Sequence, residues 1–299
     1  MKFKMQEAER SAELEVSRWD LAIVGDCLDD RGKAASGFLS QPGTLVVSLK
    51  YDEENFTFDA NGATYNADDI GFFFEQFKGK GIVLEATTLG FVEILLSCRI
   101  LKDLGFATFS LLYVEPGDYS SPNRSQVLLK RDFSLSEEVP GYKAIPGATV
   151  MLRDRVQQKG VFFLGYEARR LDRALEDFQM IQPSNCCVVF GVPAFRPGWE
   201  MDAFANNIRV LRDKRISGGI HYCGAENPAA AYDVLSQVYS ELGPGEKMFI
   251  APLGTKPNGI GAALFISTHP NVRVLYDHPK RKSGRSSNVS RWHLYEVET

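Results

Sequence analysis

Short apolar runs closed by glycine, each followed by a polar stretch of helical length, recur along the chain, a pattern of strands alternating with helices. In the first half, Asp20-Leu-Ala-Ile-Val-Gly25 reads as a buried strand and Asp29 to Phe38 as a helix. Gln41-Pro-Gly43 is a turn before a strand over Thr44–Leu49. Phe56 to Gly62 reads as an edge strand entering a hairpin, because Asn61-Gly62 supplies the positive φ that such turns need. Asn66 or Asp68 is expected to cap a helix running to Phe77, followed by strand 81–86, helix 91–104 and strand 107–114.

The second half opens on Gly160-Val-Phe-Phe-Leu-Gly165 and continues with a helix from Glu167 to Met180, a strand over Cys186–Val192 and a loop over 193–198. Helix 200–213, a strand near 219–222, helix 228–242, strand 247–251, helix 258–268 and strand 272–276 complete it. Such alternation predicts an α/β fold: two Rossmann-like lobes, residues 19–116 and 159–279, with mostly parallel sheets. Residues 1–18 read as a peripheral helix or loose arm. A β-rich insertion over 117–158 is expected from the runs Val127–Phe133 and Ala148–Leu152, and 280–299 as a basic terminal segment whose Trp292–Val297 adds an edge strand.

One unit is written twice. Gly81-Ile-Val-Leu-Glu-Ala-Thr-Thr-Leu-Gly90 leads through a helix to Phe109–Pro116, and Lys247-Met-Phe-Ile-Ala-Pro-Leu-Gly-Thr-Lys256 leads through a helix to Val272–Pro279. The spacings from Gly90 to Tyr113 and from Gly254 to Tyr276 are nearly equal. Parallel α/β sheets bind ligands beyond the carboxyl ends of their strands, where helix N-termini offer free N–H groups and partial positive charge. The candidate ligand contacts are therefore Gly254, Thr255 and Lys256 in one copy and Thr87, Thr88 and Gly90 in the other. Gly254 lets the backbone approach a ligand, Thr255 offers a hydroxyl and Lys256 a point charge suited to phosphate. A tight turn with a solvated lysine, and plain N-caps at Thr87 and Thr88, explain the same residues without a ligand. With Glu85 and Glu93 beside the threonines, the first half-site is expected to be the less basic of the two. The two half-sites are expected to border one cleft.

Glu167 with Arg169 and Arg170, and Asp26, Asp29, Asp30 and Arg31, follow the two glycine-closed strands and can line that cleft or stand as solvated first-turn charges. Arg196 and Trp199, on the loop Phe195-Arg-Pro-Gly-Trp199, can stack a base and hold a phosphate, or simply pack. The motifs of zinc hydrolases, serine esterases and thiol oxidoreductases are absent, as are the Walker and dinucleotide fingerprints, so neither a metal nor a cofactor is expected. His221 and Cys223, near Glu226, lack a convincing partner in sequence and read as core residues.

Composition adds bounds. With 299 residues, 44% of them hydrophobic, the chain has material for one large or two medium α/β domains. No apolar run is long enough to span a bilayer and the N-terminus is charged, which predicts a cytoplasmic protein without membrane contact. Five cysteines without metal-ligand spacing predict free thiols. A net charge of −4 argues against general nucleic-acid coating, leaving Lys280–Arg285 as a basic run able to touch a nucleic-acid backbone, an acidic partner or a ligand phosphate.

The segment Phe249-Ile-Ala-Pro-Leu-Gly-Thr-Lys256, with its small-residue helix (Gly259, Gly261, Ala262, Ala263) and Val272-Arg-Val-Leu-Tyr276, resembles the CRISPR-associated Rossmann fold (CARF) and the related SAVED sensor domains. The likeness is concentrated in 247–279; those families commonly carry two glycines before the threonine, where this chain has Leu253-Gly254. It implies a prokaryotic antiviral sensor that binds a cyclic oligonucleotide or similar nucleotide-derived anion through Gly254, Thr255 and Lys256. It further implies signalling through a separate effector or partner protein, with homo-oligomerisation in keeping. An enzyme acting on a nucleotide or phosphosugar is the second reading, with Lys256 stabilising charge and Glu167, Asp26 or Glu85 as acid or base. An adaptor subunit docking through its basic tail is the third.

Overall fold

The computed structural model describes residues 1–16, 18–120, 123–124, 131–133, 135–149, 158–178 and 181–299. The chain divides into two units, Met1–Ser120 with Arg281–Thr299, and Ser121–Lys280. The first half contributes β1 (Lys2–Ala8), β2 (Leu21–Val24), α1 (Asp30–Leu39), β3 (Leu45–Asp52), β4 (Thr57–Ala60) and β5 (Ala63–Asn66). It continues with α2 (Gly71–Glu75), β6 (Ile82–Glu85), α3 (Phe91–Asp103) and β7 (Thr108–Tyr119). Short strands β8 (Asn123–Arg124), β9 (Arg131–Asp132) and β10 (Ser136–Glu138) precede β11 (Gln158–Leu164), α4 (Ala168–Asp177), β12 (Cys186–Gly191) and α5 (Trp199–Asp213). Then come β13 (Ile220–Cys223), α6 (Pro228–Ser240), β14 (Lys247–Pro252), α7 (Lys256–Thr268) and β15 (Arg273–Val274). Strands β16 (Lys280–Arg281) and β17 (Ser286–Glu298) close the chain.

The protein is α/β with Rossmann-like sheets. The second unit's sheet runs β13-β12-β11-β14-β15 and all its pairings are parallel. Numbered in chain order this is 3-2-1-4-5, the doubly wound arrangement in which the sheet grows to both sides of its first strand. The first unit's eight-stranded sheet runs β1-β17-β7-β6-β2-β3-β4-β5. Its central strands β7, β6, β2 and β3 are parallel, and antiparallel strands flank them on both sides. In both units a later strand returns to the free side of the first strand: β6, after α2, beside β2, and β14, after α6, beside β11. That shared topology matches the repeat legible in the sequence.

Several elements differ from expectation. Residues 2–8 are neither helix nor loose arm but a strand paired along its whole length with β17, from Lys2 opposite Glu298 to Ala8 opposite Trp292. Trp292–Val297 is not an edge strand, since β17 lies between β1 and β7. Both its faces are buried: Trp292 and Leu294 pack with Trp19, Leu39 and Val114, while His293 and Tyr295 lie on the opposite side, as period-2 alternation requires. Ser286 and Ser287 belong to this strand rather than to a loop. The helix before β6 is only Gly71–Glu75 and is capped by neither Asn66 nor Asp68; Asn66 instead bonds Asp69. The hairpin turn is as expected, with φ of 51° at Asn61 and 88° at Gly62. Strand β7 extends to Tyr119, past the expected start of the insertion. The runs 127–130 and 150–152 lie outside the described residues.

Helix α7 is the core of the second unit. Its residues are buried continuously from Pro257 to Ser267, as a helix apolar on all sides must be, and Phe265 packs edge-on against Tyr232 and Tyr239 of α6. All five cysteines are free thiols. Among the described residues no helix is long and apolar enough to cross a membrane.

Candidate functional site

Each sheet reverses its strand order once on either side of its first strand, and the crevice beyond the carboxyl ends at that reversal is where open α/β sheets hold ligands. In the first unit the reversal lies between β2 and β6, in the second between β11 and β14. The loops leaving those strands are 25–29 and 86–90 in the first unit and 165–167 and 253–255 in the second. Apart from Arg196, each residue expected to contact ligand lies on one of these loops or at the start of the helix that follows.

In the second unit, Gly165 and Gly254 bring the two loops into backbone contact: a Cβ on Gly165 would sit 3.0 Å from the Leu253 carbonyl oxygen. Thr255 caps α7, its hydroxyl accepting from the Asn258 N–H at 3.4 Å and lying 2.6 Å from the Ala225 carbonyl oxygen, to which it donates. Asn258, buried to 1% exposure, donates from Nδ2 to the Gly224 carbonyl at 3.0 Å and to Cys223 Sγ at 3.4 Å. Thr255 and Asn258 thus tie the start of α7 to the loop after β13. Lys256 is the first residue of α7 and is partly exposed, so its ammonium and the helix dipole add at one point.

Glu167 is otherwise engaged. Its side chain is nearly dry and accepts from the Leu135 and Ser136 N–H groups at 3.1 and 3.0 Å and from the Ser136 hydroxyl at 2.8 Å. It therefore anchors the segment before β11 rather than standing open to a ligand. One turn into α4, Arg170 makes a two-point ion pair with Asp277, 2.7 and 2.6 Å, in a buried setting. The two neighbours of the switch point, the start of α4 and the loop after β15, are held together by that pair.

In the first unit neither threonine is the N-cap of α3, and both hydroxyls are engaged within the protein. Gly90 is the N-cap residue of α3. The Thr87 hydroxyl accepts from the Val114 N–H at 2.9 Å, and the Thr88 hydroxyl accepts from the Gly25 N–H at 2.8 Å while donating to Glu85. Glu85, fully buried, also accepts from the N–H groups of Thr87 and Thr88 at 2.8 and 2.9 Å. A Cβ on Gly25 would fall 2.4 Å from the Thr88 carbonyl oxygen, so the β2 and β6 loops are stapled together across the crevice. The Glu93 carboxylate lies against Gly90, where a Cβ would meet its Oε2 at 2.2 Å, and accepts from the Tyr51 N–H at 3.1 Å.

The chain's last segment adds basic groups to this half-site beside Glu85, Glu93 and Asp29. Arg281 donates to the Thr87 carbonyl at 3.0 Å and to the Thr88 carbonyl. Arg31, buried to 3% exposure, bonds Asp29 at 2.8 and 3.1 Å and the Val114 carbonyl at 3.3 Å. Asp29 also caps α1 through the Gly32 N–H and accepts from the Ser286 hydroxyl at 2.5 Å. Ser120 ties in the backbone of Arg285. The basic run is therefore divided: Lys280 pairs with Glu138 at 2.9 Å, while Arg281 bonds the loop after β6.

Elsewhere the candidates are structural. Arg196 lies exposed over the ring of buried Trp199, 5.5 Å from its centroid. Burial, with Glu226 nearby, pushes the Cys223 thiol up to about 12, which leaves it without nucleophilic character. No group of three His, Cys, Asp or Glu able to hold a metal occurs among the described residues. A depression of about 600 Å³ along the β3–β4 hairpin is lined by Lys50, Asp52, Glu53, Asn55 and Asp59, a set of the wrong charge for an anion.

No family model matches the chain and no curated protein matches it. Among solved structures it is similar to an A1-type ketoreductase, with 14% identity over 83% of this chain and 63% of that one and a TM-score of 0.23. A ketoreductase domain from the bacillaene assembly line gives 9% identity over 84% of this chain and 63% of that one, with a TM-score of 0.21. The chain thus spans under two thirds of the length of either, and likenesses this distant carry no argument about activity.

Proposed function

We propose that this chain is a nucleotide-signal-binding protein: a cytoplasmic sensor that holds a nucleotide-derived anion at the carboxyl end of its second sheet and passes its state to a separate partner. One observation carries the reading. Gly254, Thr255 and Lys256 stand at the switch point of a parallel 3-2-1-4-5 sheet, with the lysine as the first residue of the central helix. Helix dipole and ammonium favour an anion at the same place. The resemblance of 247–279 to CARF and SAVED domains would assign such a sensor to prokaryotic antiviral defence.

The test is a thermal-shift screen of the purified chain against mononucleotides, dinucleotides and cyclic oligonucleotides. A ligand at one hundred times its Kd adds about 2.7 kcal/mol of stability. Stabilisation by one of these classes that is lost in Lys256→Ala is the expected result. No stabilisation by any class sinks the proposal, and turnover of the ligand in the same samples would make the chain an enzyme instead.

A further inference from the structure

The second unit leaves one edge of its parallel sheet bare. β13 is the terminal strand and, among the described residues, pairs on one side only, with β12. The Gly219 and Cys223 carbonyls accept from the Val188 and Val192 N–H groups at 2.9 and 2.7 Å, so by alternation the backbone N–H and C=O of Ile220 and Tyr222 point outward. The side chains of those two residues are more than half exposed, as are Met201 and Ile208 of α5. Phe204 joins the two sets: its ring centroid lies 4.3 Å from that of Phe190 and 6.2 Å from that of Tyr222, and Met201 and Ile208 stand about one turn to either side of it on α5. Among the described residues these four are the large apolar side chains that the second unit exposes. Natural sheets blunt such edges with charge, proline or a covering segment. Ile220-His-Tyr-Cys223 has neither lysine nor proline, whereas the opposite edge, at β15, is closed by a bridge from Thr149 to Val274.

We infer that β13 is a self-association edge: two copies of this chain pair antiparallel through Ile220 and Tyr222 and join their second-unit sheets into one. A two-fold axis at His221 sets Ile220 of each copy opposite Tyr222 of the other, and these are the residues whose outward N–H and C=O groups an antiparallel ladder needs. Because β12 and β13 are parallel, the crossover helix α5 runs against both, and the same axis lays the two copies of α5 antiparallel. Charge then matches, since α5 carries Glu200 in its first turn and Arg212 in its last, so the acidic end of one helix meets the basic end of the other. A second copy thus supplies the strand, the apolar cover and the opposite charge together. Covering these side chains in both copies removes on the order of 1,000 Å² from water, the floor for a specific interface, which makes the pair a reversible dimer with a Kd of about 10–100 µM. This edge is independent of Lys256 and stands whether or not the second unit binds nucleotide.

The experiment is sedimentation velocity of the full chain, without ligand, from about 1 µM to about 300 µM, a range that brackets the expected Kd. The wild type should pass from the mass of one chain to that of two. Ile220→Lys puts a charge on the bare edge and should weaken association by roughly tenfold or more, while its circular dichroism and urea midpoint stay those of the wild type because the side chain is exposed. Glu200→Arg and Arg212→Glu should each weaken the dimer, and the two together should restore it, since the pair of charges is then exchanged rather than lost. Register has its own readout. His221 sits opposite its own copy at about 4.5 Å between Cα atoms, the spacing of a non-hydrogen-bonded pair and within disulfide reach. In a Cys27→Ser background, which removes the exposed native thiol, His221→Cys should therefore cross-link to a dimer on mild oxidation and Ile220→Cys should not. A chain that stays monomeric to the highest concentration overturns the inference and leaves the edge to a strand of a different protein. A dimer that survives Ile220→Lys unweakened, or that His221→Cys fails to cross-link, places the contact elsewhere and overturns it as well.

Discussion

Asp277→Ala removes one half of an ion pair that the second unit keeps almost dry. Arg170 donates from Nε and Nη2 to the two Asp277 oxygens at 2.7 and 2.6 Å, with side-chain exposures of 9% for the arginine and 1% for the aspartate. Burial pulls the Arg170 pKa down, but the neighbouring carboxylate more than offsets it, so the guanidinium stays charged. Without Asp277 the guanidinium keeps its charge and loses both acceptors. Breaking a buried pair on one side costs about 3–5 kcal/mol, a large part of the roughly 5–15 kcal/mol that holds a domain together. For a urea slope of about 2 kcal/mol per M, the middle of that cost lowers the unfolding midpoint by about 2 M. Urea titrations followed by circular dichroism measure it. Replacing both partners, as Arg170→Met with Asp277→Ala, leaves no buried charge and should recover at least about 2 kcal/mol relative to the sum of the single changes. A midpoint for Asp277→Ala within about 0.5 M of wild type, an effect of about 1 kcal/mol at that slope, would refute the reasoning, as would strict additivity in the double variant.

Two further outcomes follow from the same geometry. Gly25→Ala sets a methyl group 2.4 Å from the Thr88 carbonyl oxygen and should cost about 1–3 kcal/mol by overpacking, while Gly37→Ala, with open space around its Cβ inside α1, should gain about 0.5–1 kcal/mol; equal midpoints for the two would refute the stapled crevice. Burial pushes the Cys186 and Cys223 thiols from 9.0 up to about 12, so across that window the unfolded chain has released protons that the folded chain still holds. Their contribution is complete below pH 9 and falls as the pH rises toward 12, by about 1.36 kcal/mol per pH unit per thiol. Urea midpoints from pH 8 to 10.5 should therefore flatten in Cys186→Ala with Cys223→Ala, and identical slopes would contradict the assignment.

Most elements were legible because their signal is local. The run before Gly25, the run Cys186–Gly191 and the small-residue helix from Lys256 each carry their own apolar pattern and their own glycine or proline punctuation. The cap at Thr255 had a local signal too, since Thr-Lys-Pro-Asn places the capping hydroxyl three residues from the N–H it accepts, but that hydroxyl was read as a ligand contact and not as a cap. Asn258 was not singled out, although its place in the first turn after that cap was a usable signal. Lys2–Ala8 failed because alternating charges look like an exposed arm until a partner strand is known, and that partner comes from the opposite end of the chain.

The candidate site divides along the same line. Hydrophobic period and turn chemistry, read along a few neighbouring residues, settle where a strand ends and a glycine-bearing loop begins, and so where a ligand edge lies in each half. Whether a side chain at that edge is available is a matter of what distant strands bring to it. Thr88 is consumed by Gly25 and Glu85, Glu167 by the segment at 135–136, and Arg281 reaches the Thr87 and Thr88 carbonyls beside the pairing of β17 with β7. A hydrogen bond or a like-charge contact across such separations is made by strand pairing and register, which have no local period to announce them, and the chemistry of both loops therefore emerges with packing rather than with pattern.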